Sequence, residues 1–291
     1  MMKMMKMMKT MKTMKTIRIT LALLILTVNL LAQNPAIYLE KNGAGESMLF
    51  LSGFSAPAAV WDETIANLMG EFTMHKVSYA GFNGLPSIEM PWYETIKKEL
   101  LQYIESQKME SIVIIGHSMG GMLALDLASE IPDKISKLII VDALTCMREL
   151  MMPGVPNDAI QYETTYNNQM LKQNDSARKA MAYMMSANMT IKPDKVDLLA
   201  KWSIAADMKT FVYGYTDLLK LDLRPALNKI KAKVLIIAAP FPNRELVNKS
   251  LADQYANLGQ KNIVIAPNSR HYIMFDQPQW FYEKVNIFLA N

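Results

Sequence analysis

The chain has 291 residues, 51% of them hydrophobic and 20% charged, with one cysteine, so it can bury a large core and can form no intramolecular disulfide. It carries 31 basic and 27 acidic residues, but six of the basic ones lie within the first 18 positions, ahead of the first acid, Glu40. The rest holds 25 basic residues against 27 acidic ones with no like-charge block, which excludes a basic nucleic-acid-binding surface.

Residues 1–18 repeat Met-Met-Lys and Thr-Met-Lys units with five lysines and Arg18, and residues 19–31 are almost wholly apolar. A basic stretch, a short apolar stretch and a small residue at Ala32 describe a secretory signal peptide over 1–32. The apolar run is shorter than the roughly 20 residues that a membrane-spanning helix needs. The expectation is a leader removed near Ala32, a periplasmic or secreted product, and no stable membrane anchor after cleavage.

From there strand-like and helix-like patterns alternate. Strands are expected over 37–40, 48–51, 76–79, 111–115, 138–141, 234–238 and 262–265, and helices over 60–69, 92–107, 119–130, 244–258 and 279–289. The strand runs are short and apolar on both faces, as in a parallel sheet covered by helices. The order predicts an α/β fold with a mostly parallel, doubly wound sheet, whose ligands sit at the carboxyl ends of the strands. Residues 33–143 and 221–291 would form this core. Residues 144–220 interrupt the alternation with helical segments at 159–173, 177–187 and 195–206, and read as a helical cap inserted after the strand that ends at Val141. This cap is rich in methionine, including Met147, Met151, Met152, Met170, Met181, Met184, Met185, Met189 and Met208. Such residues either pack a small helical layer or line an apolar, adaptable substrate pocket.

Three stretches carry chemistry. After the strand 48–51 comes Ser52-Gly53-Phe54-Ser55-Ala56, where Gly53 lets backbone come close and Phe54 is the expected donor of one oxyanion N–H. After the strand 111–115 comes Gly116-His117-Ser118-Met119-Gly120-Gly121 and then a helix. This is a nucleophile elbow, with Ser118 at its apex and the Met119 N–H as the second oxyanion donor. The helix start would aim positive charge at the serine. The third stretch is the loop between the strand 262–265 and the last helix, which holds His271.

A serine needs a base and the base an orienting acid. His271 fits the base by chain order. His75 reads as a surface or edge residue, and the elbow should turn His117 away from the serine. Asp142 directly follows the run Leu138-Ile139-Ile140-Val141 and is the preferred acid, with Glu245 as the alternative. Asp276 reads as a loop or helix-start residue near Pro278. No metal-ligand spacing is visible, and the chemistry needs no metal or cofactor.

These features together resemble the α/β-hydrolase superfamily, in its capped, single-domain, esterase-like form, from about Ile37 to the C-terminus. The resemblance rests on the Ser-Gly-Phe loop followed by Trp61, the Gly-His-Ser-Met-Gly-Gly elbow, the Leu-Ile-Ile-Val-Asp strand end, Asp222-Leu223-Arg224-Pro225-Ala226-Leu227, and Arg270-His271-Tyr272-Ile273-Met274-Phe275-Asp276-Gln277-Pro278. It departs where the family often has His-Gly before the oxyanion loop, here Ser52-Gly53, and where the family often has an aspartate after the strand 234–238. The second departure favours a branch whose acid stands one strand earlier. The resemblance implies a serine hydrolase that cleaves carboxylic esters through an acyl-enzyme, on a small apolar or acyl-containing substrate. Alternatives are a cofactor-free relative acting on amide, carbon–carbon or peroxy bonds, and a non-catalytic ligand-binding protein of the same fold.

Overall fold

The structure, a computed structural model, describes residues 34–291. The leader expected over 1–32 lies outside the described residues. Ala36–Asn291 forms one compact unit.

Seven strands build a single sheet: β1 (Ile37–Gly43), β2 (Glu46–Leu51), β3 (Phe72–Tyr79), β4 (Ile112–His117), β5 (Ile135–Val141), β6 (Lys233–Ala238) and β7 (Lys261–Ile265). Their order across the sheet is β1-β3-β2-β4-β5-β6-β7, with β1 antiparallel to β3 and every other pair parallel. All six residues of β4 are buried, as are the last four of β5 and the last five of β6. That is why these strands read as apolar runs rich in Ile and Val. Leu49, Leu51, Ile112, Ile114, Leu138, Ile140, Val234 and Ile236 feed the core on one face. Met48, Phe50, Val113, Ile115, Ile139, Val141, Leu235 and Ile237 feed the core on the other. The period-two alternation of side chains puts successive residues of one strand into opposite cores.

Helices cover both faces. They are α1 (Asp62–Ala66), α2 (Trp92–Ser106), α3 (Met119–Glu130), α9 (Arg244–Gln254), the short α10 (Ile273–Asp276) and α11 (Pro278–Ala290). Between β5 and β6 the described chain has no strand but five helices: α4 (Met147–Met151), α5 (Thr165–Leu171), α6 (Asp175–Met189), α7 (Pro193–Ile204) and α8 (Met208–Lys220). Side-chain caps explain where several begin. Thr164, Asn174 and Asp207 each accept a backbone N–H from the first turn of α5, α6 and α8.

The insertion is tied to the rest by buried polar groups. Asp217 on α8 accepts the backbone N–H of Trp92 at 2.8 Å and of Tyr93 at 3.2 Å, capping α2, while its other oxygen takes the Tyr162 hydroxyl at 2.5 Å. A carboxylate at a helix N-terminus satisfies orphan donors and opposes the dipole. None of the nine methionines named for this region is buried, and Met151, Met152 and Met184 are exposed. Met147 and Met189 pack, partly buried, against the two cores.

Two readings of the sequence need correction. The third strand begins at Phe72, four residues before the expected position, because β1 pairs with β3 along its whole length. His75 is therefore inside the sheet and not at the surface. It is 1% exposed, and its Nδ1 lies 2.8 Å from the Tyr103 hydroxyl. Burial, reinforced by the Lys41 charge, lowers its pKa from 6.5 to about 4.

No helix among the described residues is long and apolar enough to cross a membrane.

Candidate active site

The carboxyl ends of β2, β4, β5 and β7 converge on one edge of the sheet, and each supplies a residue singled out from the sequence. β4 ends in a reversal at Ser118, whose φ of 54° and ψ of −121° lie outside the regions that a residue with a Cβ prefers. Such strain persists only where the surroundings force it. Here the Ser118 N–H donates to Val141 O at 2.9 Å, and Gly121 and Met122 donate back to Ser118 O at 2.9 and 3.1 Å. The start of α3 therefore packs hard against neighbouring backbone. A Cβ on Gly120 would lie 2.2 Å from Leu51 O, so no larger residue fits there.

β5 ends in a second strained residue. Asp142 has φ 46°, and its N–H donates to Ile237 O at 2.8 Å. The bend aims its side chain across the sheet edge. Oδ1 accepts the Ala239 N–H at 2.8 Å, and Oδ2 lies 2.7 Å from His271 Nδ1. A carboxylate only accepts, so Nδ1 carries a proton and donates it. The structure thus brings Asp142 and His271 together over 129 positions of sequence. Glu245 is exposed in the first turn of α9, where its charge suits the helix dipole.

The loop holding His271 is anchored by Asp276, which the sequence marks only as a loop or helix-start residue. Asp276 is 3% exposed. Its Oδ2 accepts the Arg270 N–H at 2.7 Å and the Ser269 hydroxyl at 3.1 Å, and its Oδ1 accepts the Thr190 hydroxyl at 2.5 Å and the Ile191 N–H at 3.0 Å. One carboxylate so joins the His271 loop to the end of α6. His117 was also under-read: it is fully buried, and its Nε2 donates to His271 O at 3.0 Å. Neither link has a local signature, since the partners are 86 and 154 positions apart.

After β2, the ring of Phe54 sits in an aromatic cluster. It lies 4.8 Å from Phe82 and 5.7 Å from Trp92 on the core side, and 5.4 Å from Phe211 and 5.9 Å from Tyr215 on α8. The insertion therefore presents aromatic surface to the loop beside the elbow. Met119, the first residue of α3, is buried. Among the described residues no group of three or more His, Cys, Asp or Glu is disposed to hold a metal ion.

Comparison with known proteins gives three kinds of match. The sequence profile of the alpha/beta hydrolase family matches residues 48–284. The pimeloyl-[acyl-carrier protein] methyl ester esterase of Nitrosomonas europaea is 20% identical over 261 residues, covering 84% of this chain and 96% of that protein. Among solved structures, an esterase from Exiguobacterium antarcticum superposes with a TM-score of 0.72 at 20% identity, covering 89% of this chain and 99% of that one. A bromoperoxidase from Bacillus anthracis superposes with a TM-score of 0.70 at 18% identity, covering 88% and 95%.

Proposed function

Since the chain belongs to the alpha/beta hydrolase family, we propose that it hydrolyses carboxylic esters through an acyl-enzyme, with Ser118 as nucleophile, His271 as general base and Asp142 as the acid that orients it. The observation that carries this reading is the 2.7 Å contact of His271 Nδ1 with Asp142 Oδ2, made from the end of β5 and locked by the Ala239 N–H on the other oxygen. It engages Nδ1 and leaves Nε2 as the ring nitrogen not held by the acid, at the sheet edge where the elbow displays Ser118.

The chemistry follows in two halves. Ser118 Oγ attacks the ester carbonyl carbon while Nε2 of His271 takes its proton, and Asp142 stabilises the imidazolium. The carbonyl oxygen becomes an oxyanion beside the start of α3, where the N–H groups of Met119 and Phe54 are its donors. One such donor is worth about 10²–10³ in rate. Collapse expels the alcohol, which takes the proton from Nε2, and the acyl group stays on Ser118. Water then attacks the acyl-enzyme with Nε2 as base, releasing the carboxylic acid and restoring the serine.

The aromatic cluster around Phe54 supports an apolar acyl or alcohol portion in the substrate, since aromatic rings offer large apolar area at little entropic cost. The names of the similar proteins agree with ester cleavage, and the bromoperoxidase marks peroxy chemistry as the alternative on this fold. The test is labelling by a fluorophosphonate probe, together with turnover of a panel of chromogenic esters graded in acyl length. Wild-type protein should label on Ser118 and turn over at least one ester, and Ser118→Ala should do neither. Ester turnover that survives Ser118→Ala, or a folded wild type inert to probe and panel alike, overturns the reading.

A further inference from the structure

His117 touches three parts of the site. It is bonded covalently to Ser118, and as the last residue of β4 it is held rigidly by the sheet. Its Nε2 stands 3.0 Å from the carbonyl oxygen of His271. A carbonyl only accepts, so Nε2 carries the proton and Nδ1 is a bare lone pair, which has no partner among the described residues. Burial first, and the nearby His271 second, hold its pKa well below the ordinary histidine value, so the ring stays neutral. The ring lies 4.5 Å from that of His271 and 4.6 Å from that of Tyr272. Its far edge faces the oxyanion loop, where a Cβ on Gly53 would come within 2.7 Å of Nδ1. Glycine at 53 thus leaves the space that the imidazole fills.

The other restraints on the base reach it from elsewhere than β4. Asp142 pins one ring nitrogen of His271, and Asp276 pins the peptide N–H one residue earlier. Neither fixes the His271 carbonyl. The N–H of the same peptide, on Tyr272, donates to Met189 O at 3.0 Å and ties it to the end of α6, whereas the His117 contact ties its carbonyl to β4, the strand that carries Ser118.

We propose that His117 is a positioning residue for the base: its Nε2–H clamps the carbonyl of His271 to the strand end that carries Ser118, so that nucleophile and base share one rigid reference. This inference rests on the reading of His271 as the base. A polar ring at position 117 is then required for its donor and not for its bulk. A misplacement on the order of 1 Å costs on the order of 10² in rate, which sets the scale of the effect.

The experiment compares His117→Gln with His117→Met. Glutamine carries an N–H donor at nearly the reach of the imidazole Nε2, and methionine fills similar volume with no donor. With a chromogenic ester that the wild type turns over, His117→Gln should keep kcat within about threefold, whereas His117→Met should lose about 10- to 100-fold in kcat with KM within about twofold. Equal loss in both variants, or none in the methionine variant, overturns the proposal. A wild type that neither labels nor turns over esters overturns the underlying site reading instead, and it does so before any variant is made. Should both variants fail to fold, nitrogen-15 spectra of the wild type decide. A slowly exchanging Nε2–H on His117 supports the clamp, and a freely exchanging ring overturns it. With three histidines in the chain the assignment is tractable.

Discussion

The carboxylate of Asp276 accepts the backbone N–H of Arg270 at 2.7 Å, one residue ahead of His271, and with its other oxygen accepts the backbone N–H of Ile191 at 3.0 Å. Two N–H groups from separate parts of the chain thus converge on one buried side chain. An asparagine there must turn its own NH₂ toward one of them, and a peptide N–H cannot reverse its role as a hydroxyl can.

Asp276→Asn should therefore cost about 2–3 kcal/mol of stability, the penalty for a buried donor left unmatched. Urea unfolding at neutral pH measures it. At temperatures where the variant is still folded, kcat should fall more than KM rises, because the loop at Arg270 and His271 is released. A loss below about 0.5 kcal/mol would mean that the loop is held by other contacts.

The assignment of the acid separates two variants. Asp142→Asn should lower ester turnover by about 10⁴, the scale of the comparable change in a serine protease triad, because the imidazole loses its orienting carboxylate and the imidazolium its counter-charge. Glu245→Gln should leave turnover within about twofold, since that residue is exposed in the first turn of α9. The rates should be compared at equal folded fraction. An inactive Glu245→Gln beside an active Asp142→Asn would move the acid to the loop after β6.

His75 makes stability depend on pH. Its folded pKa of about 4 lies below the 6.5 of the unfolded chain, so folding favours the neutral ring. The stabilisation is complete above pH 6.5 and is lost as the pH falls from 6.5 towards 4, because the unfolded state then takes up the proton first. Relative to His75→Gln, the wild type should lose about 2–3 kcal/mol between pH 7 and pH 4.5. Any contribution of His117 is common to both proteins and cancels. Parallel pH curves for the two proteins would contradict the buried, neutral His75.

Mass spectrometry of protein recovered from the periplasm or medium of an expressing bacterium should find an N-terminus near Gln33, after removal of the Met-Lys repeats. A mature form that keeps residues 1–32 and pellets with membranes would instead mark the apolar run 19–31 as an anchor.

What the sequence showed and what it hid follow from range. β4 was legible because both of its faces are buried, so residues 112–115 are uniformly apolar, and the elbow announces itself by closely spaced residues: Gly116, Ser118 and Gly120. Asp142 was legible because an acid directly after an apolar run is rare. β3 was cut short because Thr73 and His75 break the apolar pattern, although pairing with β1 and β2 holds them in the sheet. The helix expected over 159–173 begins only at Thr165, because a short turn at Asn157–Ala159 takes up the earlier residues and Thr164 caps α5. The tasks of His117 and Asp276 escaped notice because each links its neighbourhood to groups far away in the chain, His271 O and the pair Thr190 and Ile191, which no spacing rule encodes.

Ser118 and Asp142 sit on neighbouring strands, and both precede α4, while the chain returns from α8 to β6, the strand that pairs with β5. The whole helical insertion is thus a detour that leaves and rejoins the sheet at adjacent positions, after Ser118 and Asp142 are already in place. Exchanging that detour leaves intact the ladder of β4 and β5 that sets Ser118 beside Asp142. Any replacement must still supply a carboxylate that caps α2, partners for Asp276, an acceptor for the Tyr272 N–H and a donor to Gly81 O. Outside those fastenings the insertion and the sheet are free to change separately.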